Sequence, residues 1–124
     1  MAAIRRSKYG NTRVCVDGVH YASKGEYNRW CELQLWEQSG GIKELTRQVR
    51  FQLEVVTWEA KLEVLENYLA DFVYRERVGS QWVYRVEDWK GFRTTDFKRK
   101  KKWMKMVHNI EVLETGGLTS SRRR

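Results

Sequence analysis

The chain has 124 residues, with 24 Lys and Arg against 16 Asp and Glu and a net charge of +8. A hydrophobic content of 41%, with six Trp, six Tyr and four Phe, excludes a disordered chain, and the length excludes a second independently folding domain. The excess of positive charge favours a polyanionic partner, either nucleic acid or an anionic membrane surface.

No apolar run approaches the roughly 18 residues of a membrane-spanning helix, and no hydrophobic stretch follows the basic start, so we expect neither an anchor nor a signal peptide. We therefore expect a cytoplasmic protein. Cys15 and Cys31 belong to no CxxC motif and no Cys/His cluster, which predicts free thiols and no zinc site.

The first part of the chain predicts a hairpin and a helix. After a basic start that we expect to be mobile, residues 12–16 and 19–22 alternate apolar and polar side chains around the turn pair Asp17-Gly18. Ser23 and Glu26 have the spacing of a capping box, and apolar residues recur at helical spacing as far as Gly40. The pattern predicts a helix over residues 23–38. The basic residues of the start are Arg5, Arg6 and Lys8.

The middle of the chain predicts strands. Val49, Phe51 and Leu53 share one face of a strand over residues 48–53, which residues 42–46 could extend. Residues 54–66 leave two alternatives open, because their start is typical of a strand and residues 60–66 would suit a helical turn or two. Residues 67–75 and 81–90 predict an antiparallel pair joined by a turn at residues 78–80.

Thr94, Thr95 and Asp96 are N-cap candidates for a second helix that runs to about His108, and residues 110–113 predict a short last strand. Residues 116–124 predict a disordered basic tail after a single domain over residues 1–115. The order is hairpin, helix, three strands, helix, strand, which indicates an α/β or α+β fold.

Three of the charged residues on the predicted strand pair form a candidate site. Asp88 and Lys90 point to the same side of one strand, and Asp71 lies on its neighbour. Charges on a half-buried sheet face are unfavourable without a partner or a metal, which suggests a site. From spacing alone, an ordinary cross-strand ion pair on a solvated face remains an alternative. The apolar neighbours expected on that face are Leu69, Val73 and Val86.

These residue types suit phosphodiester hydrolysis. That reaction uses a hard divalent cation to activate water and to neutralise charge on the phosphate, and Mg²⁺ prefers carboxylate oxygens. Asp71 and Asp88 could supply those oxygens, and the Lys90 ammonium could stabilise the developing negative charge.

Glu26, Asp71 in LADF and Asp88-x-Lys90 in VEDWKG, in this order of elements, resemble the PD-(D/E)XK nuclease superfamily, although Ala70 stands where the motif has proline. The resemblance implies a restriction-endonuclease-like mixed sheet. It also implies that Glu26, Asp71 and Asp88 bind Mg²⁺ or Mn²⁺ and that Lys90 assists catalysis.

Residues 8–113 also resemble a family of small phage and prophage proteins of unknown function related to Holliday-junction resolvases. The segments that carry this resemblance are KYGNTRVCVDGVHYASKGEYNRW, YLADFVY and VEDWKGFRTTDFKRKK. It implies an endonuclease that cuts branched DNA or four-way junctions, acts as a homodimer whose symmetry matches the junction, and works in the host-cell cytoplasm. The likeness to archaeal resolvases is looser, since they have E-x-K where this chain has Asp88-x-Lys90.

Two glutamates each allow two interpretations. Glu26 completes the capping box with Ser23, so a purely structural role is an alternative to catalysis. Glu87 faces away from Asp88 in a regular strand, and only a bulge would bring it to a metal.

The second predicted helix is strongly basic, and the density of like charge in it suggests an external anion such as DNA. We expect Phe97, Met104, Val107 and Trp103 to form its core face, and Trp82, Tyr84 and Trp89 to pack under a helix. The expected DNA contacts are Lys24, Lys98, Lys101, Lys102 and Lys105, within a basic set that also includes Arg99 and Lys100.

Three other functions stay open. They are a nuclease of the same fold with another DNA target, a non-catalytic basic DNA-binding protein, and an interaction module that binds an acidic protein.

Overall fold

The computed structural model describes residues 3–6, 12–89 and 94–116. The predicted α/β class and the order helix, three strands, helix, strand are confirmed. Lys90 and the predicted tail beyond Gly116 lie outside the described residues. In chain order the elements are β1 (Ala3–Arg6), β2 (Thr12–Val16), β3 (Val19–Tyr21), α1 (Lys24–Gln38), β4 (Ile42–Val56), β5 (Leu62–Val78), β6 (Gln81–Trp89), α2 (Thr95–His108) and β7 (Leu113–Thr115).

The N-terminal strands form a small antiparallel sheet in the order β1-β2-β3. The predicted hairpin is confirmed, and Asp17 and Gly18 have φ values of 51° and 80°, the left-handed conformation that a two-residue turn of this kind requires. The prediction of a mobile start is wrong for Arg5 and Arg6, because β1 pairs with β2. Lys8 lies outside the described residues.

The main sheet has the order β4-β5-β6-β7, with β7 parallel to β6 and the other pairs antiparallel. The extension of β4 back to Ile42 is confirmed. The helical alternative for residues 60–66 is wrong, because β4 and β5 continue as a hairpin closed by a hydrogen bond of 2.7 Å from the Thr57 N–H to the Lys61 carbonyl. We call residues 54–66 the hairpin arm.

The two helices pack against opposite faces of the main sheet. Phe72 belongs to the apolar cluster under α1 and Val73 to the cluster under α2, and consecutive strand residues point to opposite faces. The α1 cluster is Leu33, Ile42, Phe72 and Tyr74, flanked by Trp30, Trp36, Leu45 and Trp89. The α2 cluster is Leu53, Tyr68, Ala70, Val73, Val86, Phe97, Met104 and Val112.

Several packing predictions need correction. Val107 is exposed, whereas Phe97, Met104 and Trp103 pack on the core as predicted. Of the three aromatic residues expected under a helix, Trp89 packs under α1, whereas Trp82 and Tyr84 are exposed beneath the cationic groups of Lys43 and Arg75. Leu69 is exposed as well. The last strand is Leu113–Thr115, which begins three residues later than predicted.

Cys15 and Cys31 are free thiols, as predicted. Neither helix in the described part of the chain has the length and hydropathy of a membrane-spanning segment.

Candidate active site

The face alternation of β4 and β5 breaks at one shared position. Arg47 pairs with Phe72 on the α1 side, yet Val49 pairs with Ala70 in the α2 cluster, although residues two apart in a regular strand share a face. The residues between these pairs are Gln48, which has a left-handed φ of 55°, and Asp71. Both strands therefore reverse which of their side chains face α1 and which face α2, and they do so at Gln48 and Asp71.

Gln48 joins two of the predicted catalytic carboxylates. Its side-chain amide Nε2 donates to Glu26 Oε2 at 3.4 Å and to Asp71 Oδ1 at 3.3 Å. Glu26 on α1 and Asp71 on β5 are thereby brought together, 45 positions apart in sequence (71 − 26 = 45).

Asp71 also lies where β6 leaves β5. The pairing of β5 with β6 reaches Phe72 and Glu87, and from Glu87 onward β6 pairs with β7. Beyond that point the Trp89 N–H donates a hydrogen bond of 2.8 Å to Asp71 Oδ2. Both oxygens of Asp71 are thus oriented, one by β4 and the other by β6.

Glu26 serves as more than a helix cap. Its backbone N–H donates to Ser23 Oγ at 3.1 Å, which is the capping half of the predicted motif. Its side chain is 3% exposed, and besides Gln48 it accepts a hydrogen bond from Arg47 Nη2 at 3.4 Å. Burial, followed by the negative charge of Asp71, raises the pKa of Glu26 to about 7, against the opposing effect of Arg47. Near neutral pH a nearby cation would stabilise the ionised form of this buried carboxyl group.

Asp88 is buried on the α2 side of the sheet. It is 1% exposed, and the Tyr68 hydroxyl donates a hydrogen bond of 2.5 Å to its Oδ2. Burial raises the pKa of Tyr68 most, and the negative charges of Asp88 and, to a smaller extent, Asp71 raise it further. A side chain so buried does not fit the alternative of an ion pair on a solvated sheet face.

Glu87 faces α1 and is occupied by structural contacts. Arg29 binds both of its oxygens, at 2.6 Å from Nε and 3.0 Å from Nη2. The Tyr74 and Thr115 hydroxyls donate to the same carboxylate at 2.7 and 2.9 Å. Glu87 therefore ties β6 to α1, β5 and β7 and has no spare oxygen position for a metal.

The described residues contain no group of three or more His, Cys, Asp or Glu side chains that could hold a metal ion. Glu26, Asp71 and Asp88 thus do not form a three-ligand cage in this structure. Glu26 and Asp71 do form a pair, and Mg²⁺ is commonly held by one or two carboxylates, with water and substrate phosphate completing its shell. This donor set fits Mg²⁺ or Mn²⁺ in that mode.

The positive charge of α2 is largely neutralised by acids from other segments and by Asp96 at its own start, so the expectation of uncompensated positive charge is wrong for most of the helix. Lys101 lies 2.7 Å from Glu114 and Lys105 lies 4.0 Å from Glu111. Arg99 and Lys100 both contact Glu66 and Asp96. Of the five residues predicted to contact DNA, Lys24, Lys98, Lys102 and Lys105 are exposed and Lys101 is half-buried.

Sequence reasoning missed Gln48, Arg47 and Tyr68. Gln48 occupies a polar strand position that resembles any solvent-facing residue, and its role depends on the joint break in two strands. Tyr68 has the apolar spacing of a core residue, and only pairing across the sheet brings its hydroxyl to Asp88.

Residues 6–115 match the family described as "Protein of unknown function (DUF1064)", and the chain belongs to that family. The match spans every candidate site residue on α1, β5 and β6. Comparison with curated proteins and comparison with solved structures each gave no match.

Proposed function

We propose that this protein is a metal-dependent DNA endonuclease with a PD-(D/E)XK-like active site. The observation that carries the proposal is the pairing of Glu26 with Asp71 through Gln48, at the point where the sheet opens. Two acids held together, one of them buried with a pKa of about 7, are unfavourable for stability and suit a divalent cation.

Glu26 and Asp71 would hold the metal, and Asp88 on the neighbouring strand would join them or orient bound water. When bound, Mg²⁺ or Mn²⁺ supplies a Lewis acid and lowers the pKa of water at the scissile phosphate. Gln48 and the Trp89 N–H fix the two Asp71 oxygens, and Tyr68 fixes Asp88.

Lys90 follows Asp88 by two positions and, in this proposal, stabilises negative charge on the phosphate. Branched DNA, in particular a four-way junction, is the proposed substrate, and a homodimer the proposed assembly. The net charge of +8 supports a polyanionic partner, and Lys24 lies two positions before Glu26, at the exposed start of α1.

The test is incubation of the protein with a synthetic four-way junction, a linear duplex and a single strand, each with Mg²⁺, Mn²⁺ or EDTA. We expect cleavage of the junction with either metal and none with EDTA or with Asp88→Asn. Cleavage of the duplex or the single strand instead would support nuclease activity and indicate a different DNA substrate. Failure to cleave any substrate would contradict the proposal.

The lack of a three-ligand cluster among the described residues favours one second candidate, a non-catalytic basic DNA-binding protein. That protein would bind DNA with an affinity that falls steeply with salt, and Asp71→Asn would leave its affinity unchanged or raise it. A DNA affinity that changes little with salt would instead indicate that the partner is an acidic protein.

A further inference from the structure

The hairpin arm carries apolar side chains that contact little of the protein. Val56 pairs with Leu62 on the face that also carries Val64, and all three are exposed. Trp58, in the turn at the tip, is 99% exposed, and Leu65 near the base is exposed too. A cluster of exposed apolar residues of this kind marks an interaction surface.

The charge of the arm indicates what kind of partner it takes. Residues 54–66 contain four acids and one lysine, in a protein whose net charge is +8. Phosphate backbone would be repelled by such a segment, whereas a basic protein surface with an apolar centre would complement it. The charged residues of the arm are Glu54, Glu59, Lys61, Glu63 and Glu66.

A surface of that description lies on α2. A cavity of about 290 Å³ is lined by Arg99, Lys102, Trp103 and Met106. Trp103 also donates a hydrogen bond of 3.0 Å from Nε1 to the Glu54 carbonyl, so the cavity lies beside the base of the arm. The cavity thus combines apolar walls with the exposed cation of Lys102, since Arg99 already pairs with Glu66 and Asp96.

We propose that the arm binds a second copy of this chain, with Trp58 of each copy inserted into the α2 cavity of the other. Two arms laid side by side in opposite directions place each tip at the base of its neighbour, where that cavity lies. The contact is then made twice about a two-fold axis and closes as a dimer. Glu59 beside each Trp58 meets Lys102 of the other copy. This surface rests on the proposed function in one respect, because it specifies the homodimer proposed there; its tests measure self-association and do not depend on nuclease activity.

The first test measures the dissociation constant of the dimer by sedimentation across a concentration series. We expect a dimer for the unmodified chain and a dissociation constant raised about tenfold or more by Trp58→Ala, because a buried aromatic anchor is lost. Leu62→Ala should also weaken the dimer. Leu35→Ala is the matched control, since Leu35 on α1 is 66% exposed and Leu62 67%, and it should change nothing. Thermal melts check that each variant folds.

The second test exchanges charges. Glu59→Lys and Lys102→Glu should each weaken self-association, because each places like charges together twice in the dimer. An equimolar mixture of the two variants should restore a dimer, in which one contact is native and the other is reversed.

Two results would overturn the proposal. One is a monomer at every concentration, and the other is a dimer that Trp58→Ala leaves intact. If Trp58→Ala weakens DNA binding in the second case, the arm is assigned to DNA.

Discussion

The backbone N–H of Trp89 donates a 2.8 Å hydrogen bond to the Asp71 carboxylate, beyond the last residue pair that joins β5 to β6. Here a side-chain carboxylate accepts from the backbone N–H, where a regular strand pair would have a backbone carbonyl as the acceptor. The position of Asp71 therefore depends on where the strands part, and any change that moves this fork should also move the proposed metal ligand.

The pH dependence of stability should report the raised pKa of Glu26. Between a pKa of 4.5 in the unfolded chain and about 7 in the folded one, the folded protein binds more protons, so stability falls as pH rises through this window. Glu26→Gln removes this effect. With about 1.4 kcal/mol for each pKa unit, the variant should be more stable than the parent by up to about 3 kcal/mol at pH 8. Its advantage should vanish near pH 4.5.

Urea unfolding at several pH values without divalent metal measures this difference. Glu63→Gln, on the exposed hairpin arm, is the control and should leave the pH profile unchanged. A Glu26→Gln protein that is less stable than the parent at pH 8 would contradict an unfavourably ionised Glu26.

Local sequence signals predicted much of the fold correctly. The Asp17-Gly18 turn and the Ser23 cap depend on neighbouring residues alone, and both are confirmed. The errors fall where distant segments decide. β1 is a strand because it pairs with β2, and residues 60–66 are extended because they pair with the end of β4.

Replacing Glu87 should destabilise the fold strongly. Glu87→Gln loses the charge that Arg29 binds through two hydrogen bonds and disturbs the acceptor of Tyr74, so we expect a loss of about 3 kcal/mol. Glu32→Gln is the control, because Glu32 lies 3.0 Å from Arg29 but is exposed, and it should cost at most about 0.5 kcal/mol. Equal losses in urea unfolding for the two variants would refute the structural role of Glu87.

Gly25 should not tolerate a methyl group. Ala is favoured over Gly in a helix by about 1 kcal/mol, but a Cβ at Gly25 would lie 2.5 Å from Trp89 Cζ2. Because Trp89 packs under α1, we expect Gly25→Ala to destabilise the protein by about 1–3 kcal/mol. Asn28→Ala, on the exposed side of the same helix, should be neutral or slightly stabilising. A higher melting temperature for Gly25→Ala would show that Trp89 is free to move.

The candidate site was predicted only in part. The spacing of acids on two strands indicated Asp71 and Asp88, and the resemblance to PD-(D/E)XK nucleases added Glu26. The structure joins Glu26 with Asp71 through Gln48. The spacing could not indicate Gln48, because the role of Gln48 comes from a break in two strands. It also could not indicate that Glu111 and Glu114, from the following segment, neutralise lysines of α2. Ion pairs between elements depend on packing, which no local pattern carries.

Asp71 is the proposed metal ligand that both neighbouring strands orient, through Gln48 and the Trp89 N–H. The test measures the rate of four-way-junction cleavage in Mg²⁺ by the unmodified protein, by Asp71→Asn and by the control Glu32→Gln, which changes an exposed acid on α1. We predict that Asp71→Asn reduces the rate at least about a hundredfold while Glu32→Gln retains it. A rate for Asp71→Asn equal to that of the unmodified protein would show that Asp71 takes no part in cleavage.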